Sequence, residues 1–432
     1  MNFPAQFYRA VALFFVAFGS LAVVLEASAE DSVKLRVATF NTSLNRCLNG
    51  RSSPCLSDGL KQALVNPDFL QAQRIAETIQ RIAPDVVLLN EFNYDTDGSA
   101  ADLFQSNFLS IGQNVSDHPD GPALPIEYPF RYLAPSNTGI SSGFDLDNNG
   151  RVDTTPGDIP YGNDSLGFGE FEGRYGMLLL SKFPIQQDKV RTFQKFLWKD
   201  MPDAVLPDDR QTATKQDWYS EAELAVFRLS SKSHWDVPIQ MGGQVIHILA
   251  SHPTPPVFDG AEDRNGRRNH DEIRLWADYI TPHKSGYLVD DEGRSGGLDA
   301  DTSFVILGDL NADPNRGDQF GNAIQQLLEH PRVNVEKIPV NEKGWTETAE
   351  FRLRADYVLP SADLKVLDTA VFWPTSRDDP LRTLMRATDH RLVWADVKVN
   401  PIPEPSSLTL LGAAFVVLAR SRFGRMRGQA VD

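Results

Sequence analysis

The chain has 432 residues, 41% of them hydrophobic and 23% charged, which is enough for one large globular domain with a sizeable core. Its formal net charge of −16 argues against a protein that coats nucleic acid non-specifically through a basic face. An enzyme that meets a phosphodiester through bound divalent cations is still allowed, because those ions supply positive charge.

The first 29 residues are predicted to be a secretory signal peptide. Arg9 precedes an apolar run over residues 10–25, and Ala-Ser-Ala at 27–29 supplies a cleavage pattern. A membrane anchor is the alternative, but the apolar run is short and ends in small residues. We therefore expect an exported protein whose folded domain spans residues 32–399.

Two strands and a helix are predicted near the start of this domain. Residues 33–40 form a strand that ends at Asn41, and residues 85–89 form a second, buried strand that ends at Asn90 and Glu91. An amphipathic helix lies between them, opened at Pro67 and ended by Pro84.

The only cysteines, Cys47 and Cys55, lie close together in a polar loop after the first strand. In an oxidising compartment this spacing favours a local disulfide. Two free thiols or a metal-binding pair are the alternative.

Residues 94–168 are rich in Gly, Asp, Asn, Pro and Ser and are predicted to form long loops. Within them, residues 145–153 match the start of an EF-hand-like loop for structural Ca²⁺. Its candidate ligands are Asp145, Asp147, Asn149 and Asp153. Pro156 stands where the closing glutamate is expected, so Asp153 or Asp158 would have to complete the ligand set. A polar turn without an ion is the alternative.

The rest of the domain combines further strands with two helices. Strands are predicted at 174–185, 222–229, 245–250, 304–307, 356–359 and 392–399, and helices at 269–280 and 323–328. Strands that alternate with helices, but also follow one another, predict an α/β sandwich of two mixed β-sheets flanked by helices.

Residues 400–432 are predicted to be a separate tail. Pro-Ile-Pro-Glu-Pro at 401–405 is followed by a short apolar segment at 408–418 and then by four arginines. This order resembles the PEP-CTERM sorting signal, which implies a membrane sorting enzyme as partner. It also implies a periplasmic, cell-surface or extracellular location in a Gram-negative bacterium. A buried terminal helix is the alternative, which the arginines make unattractive.

Polar side chains lie at the ends of five predicted strands. They are Asn41, Glu91, His252, Asp309 with Asn311, and Asp389 with His390. Five such ends indicate one sheet edge at which loops assemble a site. The carboxylates are hard ligands suited to Mg²⁺, Mn²⁺ or Ca²⁺, and the histidines can move protons near neutral pH.

Seven motifs together resemble the endonuclease/exonuclease/phosphatase family. They are ATFN at 38–41, LLNE at 88–91, GMLLLSKFPI at 176–185, SHP at 251–253, GDLN at 308–311, ADYV at 355–358 and TDH at 388–390. The match runs in order across nearly the whole mature chain. The resemblance implies a DNase I-like α/β (α+β) four-layer sandwich and a metal-dependent phosphoesterase.

The resemblance also implies a metal and phosphate site. Glu91 would be the principal ligand of Mg²⁺ or Mn²⁺, helped by Asn41 and Asp389. Asp309 and Asn311 would orient the attacking water and hold the scissile phosphate.

Two histidines complete the implied machinery. His390 would be the general base or a transition-state hydrogen-bond donor, aligned by Asp356. His252 would face the leaving oxygen or a non-bridging phosphate oxygen. In the deoxyribonuclease branch that histidine has a glutamate partner just before an Arg-Tyr pair. Here this suggests Glu172 as the partner and Arg174 as a phosphate ligand, although one residue separates them.

We therefore expect a monomeric, secreted phosphodiesterase that acts on nucleic acid, because the paired histidines and the Arg-Tyr pair resemble the deoxyribonuclease branch. A phosphomonoesterase or a lipid phosphodiesterase is the alternative, since the chain is acidic and lacks an obvious basic stripe. A calcium-stabilised surface-binding module without turnover is the alternative from another class.

Overall fold

The computed structural model describes residues 33–48, 54–241 and 243–399. The predicted signal peptide at 1–29 and sorting tail at 400–432 lie outside the described residues, so both stay predictions. In the described ranges, no helix has the length and apolar character needed to cross a membrane.

Strands and helices occupy the described residues as follows. The strands are β1 (Val33–Leu44), β2 (Val86–Phe92), β3 (Phe130–Tyr132), β4 (Met177–Ser181), β5 (Arg191–Thr192), β6 (His234–Met241), β7 (Gln244–Ser251), β8 (Phe304–Asp309), β9 (Asp356–Pro360), β10 (Lys365–Val371) and β11 (Val393–Val399). The α-helices are α1 (Gly59–Val65), α2 (Leu70–Ile82), α3 (Ser99–Phe104), α4 (Ile159–Asn163), α5 (Glu221–Leu224), α6 (Arg264–Tyr279) and α7 (Gln325–Leu328).

The strands form two mixed sheets. One has the order β10-β11-β1-β2-β4-β3, and the other has the order β5-β6-β7-β8-β9. Only β1 with β2 and β7 with β8 pair in parallel; the other neighbours among the described strands are antiparallel.

Alternation along the strands builds a layered core. In β8, Val305 and Leu307 pack into the cluster between the two sheets, whereas Phe304 and Ile306 pack with α6 on the outside. Helices α1, α2 and α3 cover the outer face of the other sheet. The predicted four-layer α/β sandwich of two mixed sheets is confirmed.

The element predictions need three corrections. The predicted loops at 94–168 contain α3, β3 and α4. Residues 222–229 do not form a strand: α5 covers 221–224, because Ser220 and Glu223 make a reciprocal capping box. Strand β6 was not predicted, because Asp236 and Pro238 interrupt its apolar pattern. The predicted disulfide is confirmed: Cys47 and Cys55 are bonded, with Cα atoms 5.0 Å apart.

Strand direction explains where the polar ends meet. Each parallel pair, β1 with β2 and β7 with β8, ends at one edge of its sheet. Strands β9 and β11 run antiparallel to β8 and β1, so they begin at that same edge. Chain direction therefore brings six strand ends together.

Candidate active site

Asn41 links two carboxylates from different sheets. Its Nδ2 donates hydrogen bonds to Glu91 Oε1 at 3.1 Å and to Asp309 Oδ2 at 2.9 Å. Asn45, which the sequence analysis missed, donates to the other oxygen of Glu91. Glu91 has a φ of +57°, a costly conformation that such contacts must hold in place.

Asp309 is the centre of the site. Its side chain is 1% exposed, and its Oδ2 lies 3.4 Å from His252 Nε2 and 3.7 Å from His390 Nε2. Burial raises the pKa of Asp309 to about 7, against the opposing charge of His390. This carboxyl group is therefore able to exchange a proton near neutral pH.

His390 is held by a buried hydrogen-bond chain. Its Nδ1 donates to Asp356 Oδ2 at 2.9 Å, and Thr348 Oγ1 donates to the same oxygen at 2.7 Å. Burial opposes a charge on the imidazole, but Asp356 and Asp309 outweigh it and raise the pKa of His390 to about 10. Its Nε2 is left to face Asp309.

His252 differs from His390 in both its partners and its charge. Burial lowers its pKa well below the usual range, and the positive charges of Lys232 and His390 add to that effect. Its Nδ1 is buried and has no hydrogen-bond partner within the described residues. The expected partner, Glu172, is exposed and makes no hydrogen bond to this nitrogen.

Asn311 and Asp389 also reach the site. Asn311 adopts a φ of +53°, and its backbone N–H donates to Asp309 Oδ1 at 3.1 Å. Its Nδ2 donates to the carbonyl of Pro253 at 3.1 Å. Asp389 is exposed at the cavity wall, 3.5 Å from the hydroxyl of Ser43.

Arg174 takes another role from the one predicted. Its guanidinium forms an ion pair with Glu170, donates to the carbonyl of Asn45 at 3.2 Å and lies 4.5 Å from the ring centroid of Tyr175. It is not among the residues that line the cavity. Because its Nε and Nη1 are engaged and it does not line the cavity, Arg174 is not placed to bind a substrate phosphate.

Lys232 is a cavity residue that the sequence analysis missed. The site opens into a cavity of about 1050 Å³ whose wall includes Lys232, His252 and Asp309. Lys232 is only 6% exposed, and burial lowers its pKa against the attraction of Glu272. No motif marks this lysine in the sequence; only the fold turns it towards the catalytic groups.

The donor atoms suit a hard divalent cation. Glu91, Asn41 and Asp389 offer only oxygen ligands, the set that Mg²⁺ and Mn²⁺ prefer. Among the described residues, Asp309, Asp356 and His390 also bring ligand atoms within 4.8 Å of one another. Because the imidazole of that second group is hydrogen-bonded to one carboxylate and faces the other, the group suits proton transfer. Glu91 is therefore the better candidate for the principal metal ligand.

The candidate calcium loop has a different third acid. The carboxylates of Asp145, Asp147 and Asp164 lie within 4.8 Å of one another. Asp153 instead pairs with Arg151, and Asp158 caps α4 by accepting the backbone N–H of Tyr161. Neither Asp153 nor Asp158 belongs to that group of carboxylates, in which Asp164 is the third acid. Closure of the loop and calcium binding both stay predictions.

The family is shown by a comparison with family models. The model of the endonuclease/exonuclease/phosphatase family matches residues 38–390. The chain belongs to this family. Its members are metal-dependent hydrolases of phosphate esters, and this protein is one of them.

Several solved structures are similar to this endonuclease/exonuclease/phosphatase chain. An endonuclease/exonuclease/phosphatase from Beutenbergia cavernae is 18% identical, with 85% of this chain and 72% of that chain covered and a TM-score of 0.45. Sphingomyelinase C from Streptomyces griseocarneus is 18% identical (85% and 100% covered, TM-score 0.40). Truncated TDP2 from Caenorhabditis elegans is 12% identical (85% and 98%, TM-score 0.40). A search of curated proteins gave no significant match.

Proposed function

We propose that the protein is an extracellular nuclease that hydrolyses phosphodiester bonds by in-line attack of water. One observation carries the proposal: the buried carboxylate of Asp309 lies within 3.7 Å of the Nε2 atoms of both His252 and His390. The same carboxylate shares the amide of Asn41 with Glu91. Such a site can position water, move protons and neutralise phosphate charge.

Each residue has a role that follows from its contacts. Glu91, with Asn41 and Asp389, would hold Mg²⁺ or Mn²⁺, which supplies charge neutralisation at the phosphate when bound. Asp309, with its pKa near neutral, accepts the proton of the attacking water, and Asn311 orients the phosphate.

The histidines act on the phosphate oxygens. His390 is held as an imidazolium by Asp356 and donates a hydrogen bond to a non-bridging oxygen, where charge develops. His252, which is neutral, faces the leaving oxygen and donates a hydrogen bond to it. Because its Nδ1 has no hydrogen-bond partner among the described residues, packing and the contact of its Nε2 with Asp309 orient the His252 ring.

The lining of the cavity supports a polyanionic substrate. Although the whole chain carries a net charge of −16, four basic side chains line this cavity, namely Lys232, Arg264, Arg268 and Arg316. Five acidic ones line it as well, namely Glu91, Asp309, Asp313, Asp318 and Asp389, and the first, second and last of these belong to the proposed catalytic and metal-binding groups. A volume of about 1050 Å³ exceeds what one phosphate group needs. A nucleic-acid strand supplies both the negative charge and the size.

A lipid phosphodiesterase is the second candidate, because apolar side chains also surround the cavity. The exposed ones on its wall are Ile159 at 61%, Phe168 at 43%, Phe258 at 86% and Phe351 at 48%. Such a rim suits a lipid surface as well as unstacked bases. Substrate assays must therefore include both classes.

Parallel assays on plasmid DNA, RNA, sphingomyelin vesicles and a sugar phosphate test the proposal. We expect DNA or RNA to be cleaved with Mg²⁺ or Mn²⁺ and not with EDTA, and bis(p-nitrophenyl) phosphate to be hydrolysed under the same conditions. Turnover of sphingomyelin without nucleic acid would favour the lipid enzyme. No turnover of any ester would favour the calcium-stabilised binding module.

We also propose export of the protein, with removal of residues 1–29 and processing of residues 400–432 by a membrane sorting enzyme. The disulfide between Cys47 and Cys55 supports an oxidising compartment. Mass spectrometry of the protein recovered from its host tests both cleavages. An intact tail on mature protein would contradict the sorting proposal.

A further inference from the structure

A second cavity, of about 690 Å³, is lined by sequence neighbours of residues that line the catalytic one. The two cavities share no lining residue, but residues that are neighbours in the sequence line one cavity or the other. Phe351 and His390 line the catalytic cavity, whereas Arg352 and Arg391 line the second. A short antiparallel bridge between Ala349 and His390 holds this wall together.

The second cavity is strongly basic. It is lined by five arginines, namely Arg352, Arg377, Arg382, Arg386 and Arg391, and by the acidic residues Glu350 and Asp379. Glu350 pairs with Arg391 at 2.7 Å, and Asp379 accepts the backbone N–H of Leu381. Within the described part of the chain, the other four guanidinium groups form no salt bridge. Several guanidinium groups without a salt-bridge partner around one cavity favour a bound anion.

One of these arginines is buried without full hydrogen bonding. Arg391 is 2% exposed, and its Nε has no hydrogen-bond partner among the described residues. Its other nitrogens donate to Glu350 and to the carbonyls of Thr388 and His390. A buried donor without a partner is costly unless a ligand or water satisfies it.

Two tryptophans add a flat apolar surface to the charge. Trp345 and Trp373 meet edge to face with centroids 6.0 Å apart, and Trp345 is 38% exposed. Arg352 lies 5.0 Å from the Trp345 centroid and 5.3 Å from the Trp373 centroid. Exposed indole beside unpaired guanidinium is the combination that binds a base and its phosphate. A choline head group would be repelled by the arginines.

We propose that this cavity is a subsite for a neighbouring nucleotide of a single-stranded nucleic acid. Arg377, Arg382 and Arg352 bind its phosphates, and Trp345 stacks on its base. The inference rests on the proposed nuclease function and deepens it, because the strand would run from the catalytic cavity over the shared wall at His390.

Binding without hydrolysis tests the subsite directly. Fluorescence anisotropy of a labelled oligothymidylate is measured on the full chain in EDTA across a series of salt concentrations. For the double variant Arg377→Glu/Arg382→Glu we expect Kd to rise at least about tenfold and the salt dependence to become shallower, because fewer counterions are released. Lys199→Glu, an exposed charge reversal outside both cavities, is the matched control. Equal Kd values for the double variant and the control would overturn the proposal.

The stacking part has its own test. Trp345→Ala should weaken binding of the oligothymidylate roughly tenfold, the magnitude of one base stacked on an aromatic ring. It should leave binding of an abasic oligonucleotide nearly unchanged. An equal loss for both oligonucleotides would contradict base stacking, and circular dichroism of each variant checks the fold.

Turnover separates the two proposals. In the double variant, we expect the loss of kcat/KM on single-stranded DNA to exceed the loss on bis(p-nitrophenyl) phosphate by at least about tenfold. If wild type and variant cleave DNA equally, the subsite is wrong and the nuclease stands. If the wild-type protein cleaves no nucleic acid, but the double variant binds the oligonucleotide more weakly than wild type, the nuclease proposal is wrong. The second cavity then binds single strands for another purpose.

Discussion

Asp309 and Asp356 are direct partners in the antiparallel register of β8 and β9, and both side chains are buried. Two buried carboxylates at paired positions would repel each other. The imidazole of His390 relieves this repulsion, because its Nδ1 bonds Asp356 and its Nε2 lies 3.7 Å from Asp309. Strand register thus sets the spacing of the proposed catalytic groups.

Asp356→Asn tests this arrangement. The amide keeps the shape but removes the negative charge beside His390, so the pKa of His390 should fall from about 10. We expect kcat to drop roughly a hundredfold or more and the alkaline limb of the pH–rate profile to move to lower pH. The exposed Asp363→Asn is the matched control, and an unshifted profile would contradict a positioning role for Asp356.

Asp309→Asn should separate activity from stability. Without a proton acceptor at the centre of the site, kcat should fall roughly a hundredfold or more. Burial raises the pKa of this carboxyl to about 7, so its ionised form lowers the free energy of unfolding at higher pH. The uncharged amide of asparagine removes this destabilisation. In EDTA at pH 8 we expect an unchanged or higher Tm. A lower Tm with full activity would refute both parts.

Glu91→Gln tests the metal ligand. We expect the Mg²⁺ concentration for half-maximal activity to rise about tenfold or more, since one ligand loses its charge. Titration of metal-stripped protein measures it. Glu172→Gln is the control, because that exposed side chain does not reach His252, and its titration should match wild type.

Lys232→Met tests the buried lysine. The variant keeps most of the apolar stem but removes the positive charge from the cavity wall, so kcat/KM on DNA should fall roughly tenfold or more. The pKa of His252 should rise, because Lys232 helps to lower it. NMR titration of His252 and steady-state kinetics provide the two readouts, with Lys199→Met as control. No change in either readout would argue against a role.

His234 predicts a pH dependence of stability. It is fully buried, its Nε2 donates to the carbonyl of Glu272 at 2.9 Å, and burial lowers its pKa to about 4. Between pH 6.5 and 4 the unfolded chain binds a proton that the folded chain does not. As the pH is lowered through that window, the free energy of unfolding should therefore fall by up to about 1.4 kcal/mol per pH unit. Urea denaturation of wild type and His234→Gln measures it; the variant should show a flatter dependence.

The sequence by itself determined the elements with strong local signals. Apolar strands such as 304–307 ended in polar motifs, so the sheet edge with Asn41, Glu91, His252, Asp309 and His390 could be predicted. The resemblance of the ordered motifs to the family added Asp356. Local patterns are sufficient there because a buried strand must be apolar and a site must be polar. The same reasoning did not predict β6, because Asp236 and Pro238 interrupt its apolar pattern. This strand is buried by its neighbours in the fold.

Only the tertiary structure decided which side chains meet. Arg174 belongs to an Arg-Tyr pair that resembles the family, yet it is bound by Glu170, and the exposed Glu172 makes no hydrogen bond to His252 Nδ1. Lys232 carries no motif and reaches the cavity through the fold. The arginines and tryptophans of the second cavity lie up to 46 positions apart, from Trp345 to Arg391. Distances between residues far apart in the chain depend on strand order and loop path, which local periodicity does not contain.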